Sequence, residues 1–143
     1  EVRRALCEAR RRAGFASMLA SRGRAEQAEQ AARQAIRDLE AAKSPLGPDG
    51  AWKGEAAGAL CECYRALGAA LIHQEGKAAA ALRALRSAVE SDPRDVQALI
   101  ECGAACRADA AELPRAVRLH LRALRLDPLR PECKLELACS LND

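Results

Sequence analysis

Apolar residues recur along this chain at spacings of three and four, with charged and amide side chains filling the intervals. Ala28-x-x-x-Ala32-x-x-Ala35, Tyr64-x-x-Leu67-x-x-x-Leu71 and Ala81-x-x-x-Leu85-x-x-Ala88 are the clearest runs. That period is the period of a helix with one buried face. With the stop signals it predicts helices over residues 2–21, 24–42, 52–75, 77–91, 95–108, 114–126 and 131–142. Gly23 and Gly76 stand where a helix ends in a left-handed residue. Asp95 is placed to cap the next helix, and Pro114 and Pro131 suit first helical positions. The run Lys43-Ser44-Pro45-Leu46-Gly47-Pro48-Asp49-Gly50 cannot continue a helix and predicts a loop or insertion over 43–51. Seven helices in antiparallel pairs make three and a half helical hairpins.

Composition sharpens this picture. Of 143 residues, half are apolar, which excludes intrinsic disorder. Alanine and leucine supply 34 and 19 of them, and Trp, Tyr, Phe and Met occur once each. Without aromatic and β-branched strand formers, a sandwich, a barrel and a doubly wound sheet are excluded, leaving an all-α chain. With so little bulk, its helices must approach closely through small faces. The longest unbroken apolar run, Ala78 to Leu82, falls far short of a membrane span. Glu1-Val2-Arg3-Arg4-Ala5 holds no apolar run suited to a secretion signal, and the missing initiator Met marks the chain as an expected piece of something longer.

The seven cysteines, Cys7, Cys61, Cys63, Cys102, Cys106, Cys133 and Cys139, all fall within helical patterns. An odd number without loop staples reads as reduced thiols, most of them small core residues, and predicts an intracellular location.

The chain repeats itself. Asp92-Pro93 and Asp127-Pro128 lie 35 residues apart, each closing an Ala- and Leu-rich helix. Aligning the prolines superposes Ala81 on Ala116, Leu85 on His120 and Ala88 on Ala123. The preceding helices superpose too: Tyr64-x-x-Leu67-Gly68-x-x-Leu71 on Leu99-x-x-Cys102-Gly103-x-x-Cys106, with a third start at Lys134-x-x-Leu137-Ala138-x-x-Leu141. A weaker copy runs from Phe15-Ala16-x-x-Leu19 through Gly23. The expected organisation is one domain, 1–143: a degenerate repeat 1–42, the insertion 43–51, repeats 52–93 and 94–128, and a half repeat or capping helix 129–143.

These residues resemble the tetratricopeptide repeat (TPR) family. One unit carries Tyr64, Leu67, Gly68, Leu71, Gly76, Ala81, Leu85, Ala88 and Pro93 in the order of its signature. The next carries Leu99, Cys102, Gly103, Cys106, Ala116, His120, Ala123 and Pro128. Both units are one residue longer than the usual 34, and the family's aromatic positions hold Leu, Cys or His. A 35-residue period also fits the RNA-reading pentatricopeptide family, and a generic array of hairpins is a third reading. The Leu-Gly pair and the Asp-Pro closures favour TPR. The resemblance implies an α-solenoid, a right-handed superhelix whose concave face is lined by the first helix of each pair and binds a protein partner.

On that register the groove residues are Glu62, Arg65, Ala69 and His73, then Gln97, Ile100, Glu101, Ala104 and Arg107, then Glu132, Leu135, Glu136 and Cys139. The family's lysine–asparagine clamp for a C-terminal carboxylate is disfavoured, because Glu101 and Glu136 stand near the places a cation or amide would occupy. Arg10-Arg11-Arg12, with Arg3 and Arg4, form a basic face, although formal net charge is only +3 and Phe15 alone is present to stack on a base. Cys102-x-x-x-Cys106 has the spacing of half a zinc site, but both thiols fill packing slots of the signature. His73 and His120 have no nucleophile beside them in any activating pattern, and no glycine loop precedes a phosphate-binding lysine. The expected function is a non-catalytic protein–protein interaction scaffold. It binds a peptide or helix of a partner, or docks within a larger complex, without metal, cofactor or small-molecule substrate. The alternative is an RNA-contacting repeat protein that uses the arginine-rich N-terminal helices.

Overall fold

A computed structural model describes residues 2–43 and 53–142, and every regular element among them is helical. In chain order these are α1 (Val2–Ser21), α2 (Ala25–Lys43), α3 (Lys53–Ile72), α4 (Ala78–Ser91), α5 (Val96–Cys106), α6 (Leu113–Leu126) and α7 (Pro131–Asn142), with a short 3₁₀ turn at Ala110–Glu112. The loop expected over 43–51 lies outside the described residues, apart from Lys43, which ends α2. The chain divides into two compact units, Glu1–Asp92 and Pro93–Asp143, parting at the first Asp-Pro closure.

In the first unit α1 packs on α2 and α3, α2 on α3, and α3 on α4. The core is made largely of alanine: Ala9, Ala13 and Ala16 of α1, Ala32 and Ala35 of α2, Ala59 and Ala66 of α3, and Ala81 and Ala84 of α4. Leu6, Leu39, Leu60, Leu67 and Leu71 fill the spaces between these small residues. A second cluster, Leu19, Ala20, Ala28 and Ala70, closes the end where α1 turns into α2. Gly23 makes that turn at φ 79° and Gly76 makes the next at φ 77°, both in the left-handed region that a side chain would strain.

In the second unit α5 packs on α6, and α7 lies against both. The Asp95 carboxylate accepts from the Ala98 amide at 3.1 Å and starts α5, as its position in the sequence implies. Pro114 is the second residue of α6, and Pro131 is the first of α7. The buried side chains are Ala98, Leu99, Ile100, Cys102 and Cys106 of α5, Ala116, His120 and Ala123 of α6, and Cys133 and Ser140 of α7.

Two helix ends differ from the sequence expectation by more than one residue. α3 stops at Ile72 and not at 75, because the Gln74 amide N–H turns back to Leu71 O at 3.0 Å to begin the tight turn to Lys77. α5 stops at Cys106 and not at 108. There the Asp109 carboxylate accepts from the Ala111 amide at 2.9 Å and opens the 3₁₀ turn, a capping residue that periodicity alone passes over.

The small residues lie where helices cross. A Cβ on Gly68 would stand 2.7 Å from Leu85 Cγ, and one on Gly103 would stand 2.5 Å from His120 Cε1. Both contacts are closer than real Cβ atoms approach, so glycine is what allows α4 to meet α3 and α6 to meet α5.

Candidate functional site

Each unit carries part of the expected groove, and each part is crossed by an ion pair between first helices. In the first unit Glu62, Arg65 and Ala69 are half-buried on α3, and His73 is exposed just beyond its end. The Glu62 carboxylate lies 3.8 Å from the Arg10 guanidinium of α1. Arg10 therefore belongs to the α1–α3 side, and its guanidinium also lies 3.4 Å from where a Cβ on Gly58 would sit.

The three consecutive arginines do not act as one face. Arg10 reaches α3, Arg12 pairs with Asp38 of α2, and Arg11 is exposed. Arg3 and Arg4 are exposed on the first turn of α1, where Arg4 lies 3.9 Å from Glu8 one turn on. Two of the three consecutive arginines are thus spent on the unit's own carboxylates.

In the second unit Gln97 donates to Glu101 at 3.1 Å along α5. Arg107, at the end of α5, donates to Glu136 of α7 at 2.5 Å. Ala104, Glu132 and Leu135 are exposed and Cys139 is half-buried, but Ile100 is buried in the unit's interior. The result is a surface of both signs, whose cations and carboxylates largely satisfy one another. The Arg10–Glu62 pair, nearly half exposed, is worth at most about 1 kcal/mol, so an incoming charged chain could exchange it at little cost. Leu135 and Leu141 of α7 are 63% and 66% exposed, which leaves apolar area beside the charged positions.

Among the described residues, the titratable groups with shifted pKa values include one histidine and two buried cysteines. His120 is fully buried and lacks a hydrogen-bond partner at either ring nitrogen. Burial pushes its pKa down, against an opposing pull from Glu136 and with a further push from Arg107. Five cysteines are buried; burial raises the Cys63 thiol to about 11 and Cys133 in the same direction. These are poor nucleophiles at neutral pH. Among the described residues, no three His, Cys, Asp or Glu side chains are placed to hold a metal ion. No described helix is long and apolar enough to cross a membrane.

Two polar features were not foreseen from the sequence. Glu29 of α2 accepts from Gln74 at 2.8 Å, from Lys77 at 3.0 Å and from Arg33 at 3.0 Å, tying α2 to the α3–α4 turn. These donors hold its carboxyl down at about 2, the Gln74 bond contributing most. A hollow of about 360 Å³ opens between α2, α3 and α4. Glu40, Tyr64 and Glu90 line it, and the Tyr64 hydroxyl faces Glu40 at 3.5 Å. A lone charge such as Glu29 carries no periodic signal, and the hollow depends on how three helices meet. No protein-family model and no curated protein sequence matches this chain.

Proposed function

We propose that the chain is a TPR-like array of helical hairpins that acts as a non-catalytic protein-binding scaffold within a larger intracellular assembly. The observation that carries this reading is the repeated glycine notch. Gly68 receives Leu85 and Gly103 receives His120, at positions 35 residues apart in sequence. Two units built on one hairpin plan are what a repeat array requires. In such an array the first helices supply the binding face of each unit, α1 and α3 in the first and α5 and α7 in the second. Its mixed charge and the exposed leucines of α7 suit a peptide or helix of mixed character better than a nucleic acid. The pairing of Arg10 with Glu62 and of Arg12 with Asp38 also weighs against RNA, since it neutralises two of the three consecutive arginines.

Affinity capture of the 143-residue chain at physiological salt, with and without ribonuclease, tests the reading. A protein partner stays bound through nuclease treatment and through a modest rise in salt. RNA binding falls steeply with salt and disappears with nuclease. Capture that depends wholly on RNA would replace the scaffold with the RNA-contacting alternative.

A further inference from the structure

The two glycine notches are filled by side chains of different chemistry. Leu85 in the first unit has nothing to titrate. His120 in the second is fully buried, with Nδ1 and Nε2 both unpartnered, and its ring lies against the Gly103 backbone. A neutral imidazole fits such a slot at the cost of one unpaired N–H and one unpaired acceptor nitrogen, but carries no charge. A protonated one does not, because both N–H groups would then need acceptors and the charge would need water.

The charged groups that act on the ring are Arg107, at the end of α5, and Glu136, on α7. Glu136 could in principle serve as counter-ion, but its carboxylate already accepts from Arg107 at 2.5 Å. Moving it to the ring would set the imidazolium beside the Arg107 guanidinium, which also acts on the ring. In the closed unit neither ring nitrogen meets an acceptor.

We propose that His120 makes the second unit a pH-sensitive switch: proton uptake by its ring opens the packing of α6 on α5 in mild acid, while the first unit stays closed. The direction follows from linkage. The ring binds its proton with ordinary affinity, near pH 6.5, only in the opened state, and poorly in the closed one. The closed form is therefore fully favoured above about pH 6.5 and loses ground as pH falls below it. The Glu29 junction of the first unit keeps its charge until about pH 2, so it does not respond in the same window.

Amide hydrogen exchange of the 143-residue chain at pH 7 and pH 5, corrected for the intrinsic pH dependence of exchange, reads the switch. Protection in α5 and α6 should fall by up to about twenty-five-fold, the limit for one imidazole of ordinary pKa that binds a proton only when opened. α3 and α4 should hold their protection. His120→Leu, which installs the residue of the other notch, and His120→Gln, which cannot titrate, should each abolish the difference. If neither variant folds, NMR titration of the native ring decides, and a ring that stays neutral in the closed form as pH approaches 5 supports the proposal. Unchanged protection in α5 and α6, an equal loss in both units, a loss that persists in a folded variant, or a closed-state ring titrating near 6.5 would each overturn it.

Discussion

His120 Cε1 lies 2.5 Å from the point where Gly103 would carry a Cβ, so the imidazole occupies the volume that a side chain on Gly103 would need. Leu85 Cγ stands in the same relation to Gly68, at 2.7 Å. Gly103→Ala and Gly68→Ala should each lose roughly 1–3 kcal/mol of stability through overpacking. The loss should be larger at Gly103, where a flat ring has less room to rotate aside than a leucine branch. Gly14→Ala is the control: nothing lies within 4 Å of a Cβ there, and alanine in the middle of α1 should add roughly 0.5–1 kcal/mol. Urea midpoints of the three variants check the order, and a neutral Gly103→Ala would mean that the notch is not closed.

Glu29 links stability to acid. Its carboxyl sits at about 2 in the folded chain against an ordinary 4.5. A depressed carboxylate adds stability that is complete above about pH 4.5 and is lost as pH falls toward 2. Lys77 and Arg33 are 43% and 51% exposed, so solvent screening holds the contribution to the order of 1–2 kcal/mol. Glu29→Gln should therefore lower the thermal midpoint at pH 7 and converge on the unaltered chain near pH 2. Parallel curves across that range would remove the linkage.

Thiol labelling in the folded chain should reach Cys7 first and Cys139 next. Cys61, Cys63, Cys102, Cys106 and Cys133 should react only on unfolding. All five are buried, and at pH 8 a thiol raised to about 11 is ionised to only about one part in a thousand. Labelling followed by peptide mass spectrometry gives the order directly. Rapid modification of Cys102 or Cys106 in the folded state would place those thiols at a surface.

Helix ends were readable where a single residue type has one structural use. Gly23 and Gly76 take positive φ, and Asp95 caps α5, because few other residues do these things well. The end of α5 was not readable, since Asp109 caps a 3₁₀ turn that has no apolar period. The notches were half-legible. Aligning the prolines put His120 opposite Leu85, but not the absence of partners at its nitrogens, which depends on what α5 and α7 bring to the slot. The arginine run was the least legible feature. Residues 10, 11 and 12 fall about 100° apart around a helix, so one charged triplet in the sequence becomes two partly exposed ion pairs to different helices and one exposed cation.

Binding by single-aspartate variants tests the proposed first-helix face most directly. Ala69→Asp and Leu135→Asp place a charge on α3 and α7, and Leu121→Asp places one at an exposed position of the second helix α6. Circular dichroism confirms that each remains folded, and quantitative capture at physiological salt compares the proteins retained. The account predicts at least about a tenfold loss of retained protein for one or both first-helix variants, and little change for Leu121→Asp. Retention that survives both first-helix changes and fails with Leu121→Asp would contradict it.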